Sequence, residues 1–137
     1  MDKMYAMSLD IHLYSVGALM LMMLLMMALH KSKRDLDTLV KTIQGVMIVY
    51  LCLLAFVILT GAIMMAVQHL SLTPANLLMT AAAVIVVALE IKRNKALAKT
   101  IKSRQMGADT YKRVAFRYYL IELILFVGVW TFAAMAY

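Results

Sequence analysis

The chain contains 137 residues, 65% of them hydrophobic and 15% charged, and carries a net charge of +7. Its mean hydropathy of +0.87 excludes an ordinary soluble domain, and its length allows only one domain. The single cysteine, Cys52, excludes an intramolecular disulfide and a multi-cysteine metal site.

Four long apolar stretches follow one another along the chain, and short segments with most of the charges separate them. A hydrocarbon core of roughly 30 Å needs about 20 helical residues. We therefore predict an all-α, polytopic membrane protein, a bundle of four transmembrane helices in a single domain. The predicted spans are residues 9–29, 43–67, 75–91 and 116–136.

Local signals predict where the helices begin and end. The N-terminal stretch lacks the small-residue cleavage pattern of a signal peptide, so we expect the first helix to remain in the mature protein. Ser32 and Asp35 have the spacing of a capping box, which predicts that the second helix begins before it enters the membrane. Thr73 and Pro74 predict the start of the third helix, and Gly107 predicts a break before the fourth.

The basic residues are distributed unevenly between the two ends of these helices. Thirteen of the 14 lie around the segments that connect the first helix to the second and the third to the fourth. The positive-inside rule then predicts a multi-pass membrane protein with these segments in the cytoplasm and both termini outside. We expect the lipid bilayer, a second copy or a larger membrane complex as partners, and no nucleic acid.

Ionisable groups within apolar helices are expensive and mark candidate sites. His12 lies about one turn inside the outer end of the first helix. Its imidazole can ligate haem iron or another metal, pass on a proton, or hydrogen-bond Ser8 or Ser15 one turn away. His69 lies toward the same side of the membrane, so the two histidines could hold one haem axially.

Glu122 lies just over one turn inside the cytoplasmic start of the fourth helix. We expect Arg117, Tyr118 or Tyr119 to satisfy its carboxylate, because all three precede it by three to five residues. Such a carboxylate can accept or donate a proton, and a purely structural ion pair is the alternative reading.

Several other polar or soft side chains have simpler interpretations. Met23, Met26, Met27 and His30 have the spacing of one helix face and could form a metal track. Methionines surround the whole first helix, however, which favours apolar packing over Cu(I) binding. We expect His30 and Glu90 to reach the solvated cytoplasmic boundary, because both lie next to lysines.

The order of these features resembles the HemJ-type membrane protoporphyrinogen oxidases and related CopD-like four-helix bacterial membrane proteins. The resemblance covers most of the chain and rests on IHLYSVGALM, VILTGAIMM, the basic segment after the third helix and FRYYLIELILFVGV. It implies haem ligation by His12 and a place for Glu122 in the same polar cluster. The family's Asn and Pro around that glutamate, and its lysine near the start of the third helix, have no counterpart here.

We therefore expect haem- or porphyrin-linked redox chemistry of the protoporphyrinogen oxidase kind. In this hypothesis His12 holds the iron of haem b, with His69 as the second ligand, and a groove between helices holds the macrocycle. Glu122 and Arg117 then handle a propionate or a proton. Two other classes stay open: a non-enzymatic accessory or assembly subunit of a larger membrane complex, and a small transporter or metal handler.

Overall fold

Four long helices make up nearly all of the protein. A computed structural model describes residues 2–33, 35–67, 73–103 and 108–136. The helices are α1 (Asp2–Lys31), α2 (Leu36–Val67), α3 (Pro74–Ser103) and α4 (Ala108–Ala136). Each contains one of the predicted spans, and all four are long and apolar enough to cross a membrane. The prediction of an all-α, four-helix membrane protein is confirmed.

The helix ends follow local chemistry, with one departure from the sequence prediction. At the start of α3 the backbone N–H of Asn76 donates to Thr73 Oγ1 at 3.2 Å, which is the predicted cap. Ser32 does not cap α2, because its side-chain oxygen has no hydrogen-bond partner among the described residues; its backbone N–H instead bonds to the carbonyl of Leu29 at 3.2 Å, at the end of α1. Asp35 alone starts α2, its carbonyl accepting from the N–H of Leu39 at 2.9 Å. Gly107 lies outside the described residues.

The helices run up and down in antiparallel order. α1 packs against both α2 and α4, and α3 packs against α4. Near the start of α1, His12 meets Thr60 of α2. Beyond the end of α1, Lys112 Nζ of α4 donates to the carbonyl of Ser32 at 3.0 Å. The ends of α1 and α3 and the starts of α2 and α4 therefore share one end of the bundle, which we call the basic end.

The core is apolar and the outer surface is apolar as well. Fully buried side chains from α1, α2 and α3 meet along the bundle axis: Leu19, Met23, Met26, Leu39, Ile43 and Val86. Large aliphatic side chains also cover the outside, including Leu21, Ile48, Val84 and Ile124. In water such a surface would drive association, whereas in a membrane it faces lipid. Met23 and Met26 fill the core, in agreement with their interpretation as packing residues.

We predict that packing, rather than hydrophobicity alone, stabilises this bundle. Leu19→Ala should lower the free energy of unfolding by about 2 kcal/mol, near the low end for buried leucines, because the unfolded helices remain in apolar surroundings. Leu21→Ala, on the lipid-facing side of the same helix and 69% exposed, should change it by less than about 0.5 kcal/mol. Denaturant titration in mild detergent measures both, and equal losses would contradict the packing seen around Leu19.

Candidate functional site

Polar side chains gather in two separate places, and the first is around His12. We call His12, Thr60 and Gly61 the histidine site. His12 Nδ1 lies 2.8 Å from Thr60 Oγ1, and Thr60 Oγ1 donates to the backbone carbonyl of Val57 at 3.0 Å. A threonine hydroxyl has one hydrogen, so Thr60 accepts from His12 and Nδ1 carries the proton. In the neutral imidazole, Nε2 then keeps its lone pair.

Gly61 allows this close approach of α1 to α2. A Cβ added at Gly61 would lie 3.3 Å from Cε1 of His12, which is tighter than ordinary side-chain contacts. The sequence predicts a partner for His12 one turn away on α1, but Ser15 Oγ donates to the carbonyl of Ile11 at 2.6 Å instead. The imidazole is thus fixed from the neighbouring helix. His69, the predicted second ligand, lies outside the described residues.

An apolar groove lies on α1 near the histidine site. It has a volume of about 190 Å³ and is lined by Leu13, Val16, Gly17, Met20 and Trp130. Sites for drug-sized ligands usually measure about 300–1,000 Å³. His12 itself fits the role of an axial ligand, because Nδ1 is hydrogen-bonded to Thr60 and Nε2 of a neutral ring has a lone pair. The groove, however, is too small to enclose a macrocycle.

The second gathering lies in the basic half of the bundle, and every helix contributes to it. Its seven side chains are each less than 3% exposed, and we call them the charge cluster: His30, Tyr50, Glu90, Arg93, Tyr111, Tyr119 and Glu122. Charged groups are seldom buried to this extent unless they are paired.

Arg93 is the fixed positive charge of the cluster. Its Nε donates to Glu90 Oε1 at 3.1 Å, and its Nη2 forms an ion pair with Glu90 Oε2. The two residues are three positions apart on α3, so they share a helix face. The guanidinium carbon also lies 4.6 Å from the centre of the Tyr119 ring. A bidentate carboxylate and a ring face together compensate for the loss of water around a cation.

Glu122 faces both this ion pair and α2. The hydroxyl of Tyr50 donates to Glu122 Oε2 at 2.9 Å. The carboxyl group of Glu90 also lies within hydrogen-bonding reach of Glu122. Within the described part of the chain, Glu122 Oε1 has no hydrogen-bond partner. Two carboxyl groups and one guanidinium thus lie together in the interior.

His30 forms the side of the cluster nearest the basic end. Its Nδ1 lies 2.6 Å from the carbonyl of Met26, so Nδ1 carries a hydrogen. Its ring lies 5.7 Å from that of Tyr111 and 5.5 Å from that of Tyr119, measured between ring centres. Nε2 of His30 and the hydroxyl of Tyr119 are buried without a hydrogen-bond partner among the described residues.

These contacts correct several sequence predictions. Arg117 is exposed, and the carboxylate of Glu122 accepts a hydrogen bond from Tyr50 rather than from Tyr118 or Tyr119. Five residues of α-helix turn the chain by about 500°, so Arg117 and Glu122 project from different faces of α4. Glu90 does not reach the solvated boundary as predicted, because Arg93 holds it inside.

The solvated position predicted for His30 is also wrong, since its side chain is only 2% exposed. Arg93 and Tyr50 also belong to the site, although the sequence pattern did not single them out. One available signal was the spacing of Glu90 and Arg93. Another was that Glu90 and Glu122 are the only glutamates in the chain.

The structure does not bring His12 and Glu122 into one site. Tyr50, which bonds Glu122, precedes Thr60 by ten residues on α2. At 1.5 Å per residue, the two sites lie about 15 Å apart along the helix axis.

Comparisons with family models, curated protein sequences and solved structures found no match for this chain.

We predict that the two arginines of interest differ sharply in their contribution to stability. Arg93→Gln leaves Glu90 and Glu122 buried without their cation, so it should lower the free energy of unfolding by about 3–5 kcal/mol. Arg117→Gln is the matched control and should change it by less than about 0.5 kcal/mol, because Arg117 is exposed. Denaturant titration in detergent compares the two variants. A large effect at Arg117 would restore the pairing predicted from the sequence.

Proposed function

We propose that this protein takes part in haem- or porphyrin-linked redox chemistry, similar to that of the HemJ-type oxidases. The resemblance in sequence order motivates the proposal. The geometry of the histidine site is the observation that supports it. The implied activity is that of an oxidoreductase acting on a porphyrin within the membrane.

The support comes from the orientation of His12. Ligation of haem iron requires a neutral imidazole with a free nitrogen, and a hydrogen bond on the other nitrogen normally fixes the ring. The hydrogen bond from Nδ1 to Thr60 gives His12 this arrangement, and Gly61 leaves room for the imidazole ring between α1 and α2. A bound haem b would supply the electron-transfer chemistry. The chain would supply Nε2 of His12, the second ligand being His69 in this proposal.

In this proposal Glu122 and Arg117 no longer act together. Glu122 lies too far along the bundle to hold a propionate of a haem ligated by His12. We propose that it handles protons together with Glu90 and Arg93, its buried neighbours. Arg117 is exposed and lies still nearer the basic end of α4, so it too is beyond reach of such a propionate, and we assign it to lipid headgroups at the membrane surface.

A second function class, a small proton-coupled transporter, has one specific observation in its favour. Ionisable groups inside a transmembrane bundle frequently mark ion pathways, and the charge cluster draws on all four helices. Proton flux into vesicles that contain the purified protein, without haem, would favour this class over the redox proposal.

We propose further that the membrane is a bacterial inner membrane and that the basic end faces the cytoplasm, with both termini in the periplasm. The support is the concentration of 13 of the 14 basic residues around that end. Cationic segments are retained on the cytoplasmic side during insertion.

Labelling of single cysteines tests this orientation. In a Cys52→Ala background, cysteines at positions 71 and 137 should react with a membrane-impermeant thiol reagent added to intact cells. A cysteine at position 103 should react only after the cells are permeabilised. The reverse pattern would place the basic end outside.

The haem proposal is tested by spectroscopy of protein purified gently from membranes with ample haem supply. The wild-type protein should show a Soret band that shifts on reduction, and His12→Ala should lose it, because the iron loses its nitrogen ligand. His69→Ala should convert a low-spin spectrum toward high spin if His69 is the second ligand. Circular dichroism should show that helix content is retained in both variants.

Two controls make the result specific to the histidine site. His30→Ala removes another buried histidine of α1 and should leave the spectrum unchanged. Gly61→Val should reduce haem content because the new side chain would displace His12, whereas Gly128→Val should not, since nothing lies near its Cβ position. Haem-free wild-type protein, or a His12→Ala variant with an unaltered spectrum, would reject the proposal.

A further inference from the structure

The charge cluster contains more acidic groups than fixed positive charges. Arg93 is its only arginine, and it faces two carboxyl groups, those of Glu90 and Glu122. Charges that are buried away from water must be matched by charges of the opposite sign. If both carboxyl groups were ionised, the cluster would hold one unmatched negative charge in an apolar bundle. Besides Arg93, only a bound proton can supply the missing positive charge, either on the carboxyl groups or on His30.

Of the two carboxyl groups, that of Glu122 is the one without a matching positive charge. Both oxygens of Glu90 already accept from Arg93. Glu122 accepts one hydrogen bond, from Tyr50 to Oε2; its Oε1 has no hydrogen-bond partner among the described residues, and the carboxyl group of Glu90 lies beside Glu122. Two ionised carboxylates can only accept and would repel each other. A proton between them turns this contact into a hydrogen bond.

A second, independent observation places polar groups between the carboxyl pair and the basic end. Tyr119 is fully buried, and its hydroxyl has no hydrogen-bond partner among the described residues. Its ring contacts Tyr50 on one side, at 5.9 Å between ring centres, and His30 on the other. Nε2 of His30 is also buried and without a partner in the described part of the chain. Neither atom is hydrogen-bonded to the carboxyl pair, so two further unsatisfied polar atoms lie on this side of it.

We propose that Glu90 and Glu122 together hold one exchangeable proton at neutral pH and form a proton-binding site inside the bundle. The groups that face this pair are Tyr50 of α2, Arg93 of α3, and Tyr111 and Tyr119 of α4, and His30 of α1 packs against the two α4 tyrosine rings. Two neighbouring carboxyl groups that share one proton are a known solution for like charges at close range.

Other occupants fit the cluster less well. An anion would add a third negative charge beside the two carboxyl groups. Within the described residues, no group of three or more His, Cys, Asp or Glu side chains is arranged to hold a metal ion. Proton binding needs no additional ligand: a hydronium ion gives its proton to a carboxylate oxygen, an O–H bond forms, and water is released.

The site can be tested by infrared spectroscopy of the full-length protein in lipid. Because Glu90 and Glu122 are the only glutamates, carboxyl-¹³C-labelled glutamate marks this pair alone. At neutral pH the wild-type protein should show the C=O stretching band of a protonated carboxylic acid. The band should move to lower frequency with the label and shift in D₂O, because the proton exchanges. No substitution is needed for this measurement.

Single substitutions then separate a shared proton from a proton held by one residue. Glu122→Gln and Glu90→Gln should each abolish the band at neutral pH, because one carboxylate then remains to match Arg93. Asp37→Asn, at an exposed position of α2, should leave it unchanged.

Absence of a labelled band in the wild-type protein would overturn the proposal. A band that survives Glu90→Gln would also overturn it, since the proton would belong to Glu122 alone. The measurement needs no haem, so its outcome is independent of the proposed redox function.

Discussion

The organisation of the basic half of this protein depends on one guanidinium group that is shielded from water. Arg93 is fully buried between α3 and α4, in a bundle whose outer surface is apolar. Burial of an unpaired arginine would be prohibitive, so its surroundings are constrained. Glu90 binds it from the same helix face, Tyr119 covers it with a ring, and Glu122 approaches from α4. The polar contacts of Tyr50 follow, because Glu122 in turn needs a donor.

The histidine site depends on a different constraint, the close approach of two helices. Gly61 lacks the side chain that would press against His12, and Thr60 on the same turn offers the hydroxyl that orients the ring. Between membrane helices, small residues permit contact and a polar side chain gives it direction. The Thr-Gly pair within α2 supplies both. The imidazole is thereby held with Nδ1 bonded to Thr60, which leaves Nε2 outside this hydrogen bond.

The helices could be predicted from the sequence because length and hydropathy act locally, over about 20 residues. Thr73 and Pro74 likewise marked the start of α3 through chemistry within a single turn. The sites could not be predicted in this way, since each partner lies on another helix. Which face of α4 meets α2 decides that Glu122 bonds Tyr50 and that Arg117 faces outward. The rotation of α4 about its own axis cannot be predicted from the sequence alone.

The excess of basic residues also concealed Arg93. It lies among lysines that the positive-inside rule explains as a group, so the same rule accounted for its charge without a role inside the bundle. Burial distinguishes it from them, and burial depends on how α3 packs against α4. The spacing to Glu90 was the local sign of this difference. In an apolar segment, a carboxylate and an arginine on one helix face are therefore more informative than either residue alone.

A single face of α2 connects the two sites and limits how they can influence each other. Tyr50, Leu54, Val57 and Thr60 are all buried along it, and the two middle side chains are aliphatic. Leu54 and Val57 can carry no proton, so they interrupt any relay along this face. The two sites can then influence each other only through the electric field of their charges. At about 15 Å and an effective dielectric constant of about 20, a unit charge contributes roughly 1 kcal/mol. If haem binds at His12, a proton gained by the charge cluster would thus change its redox equilibrium about fivefold.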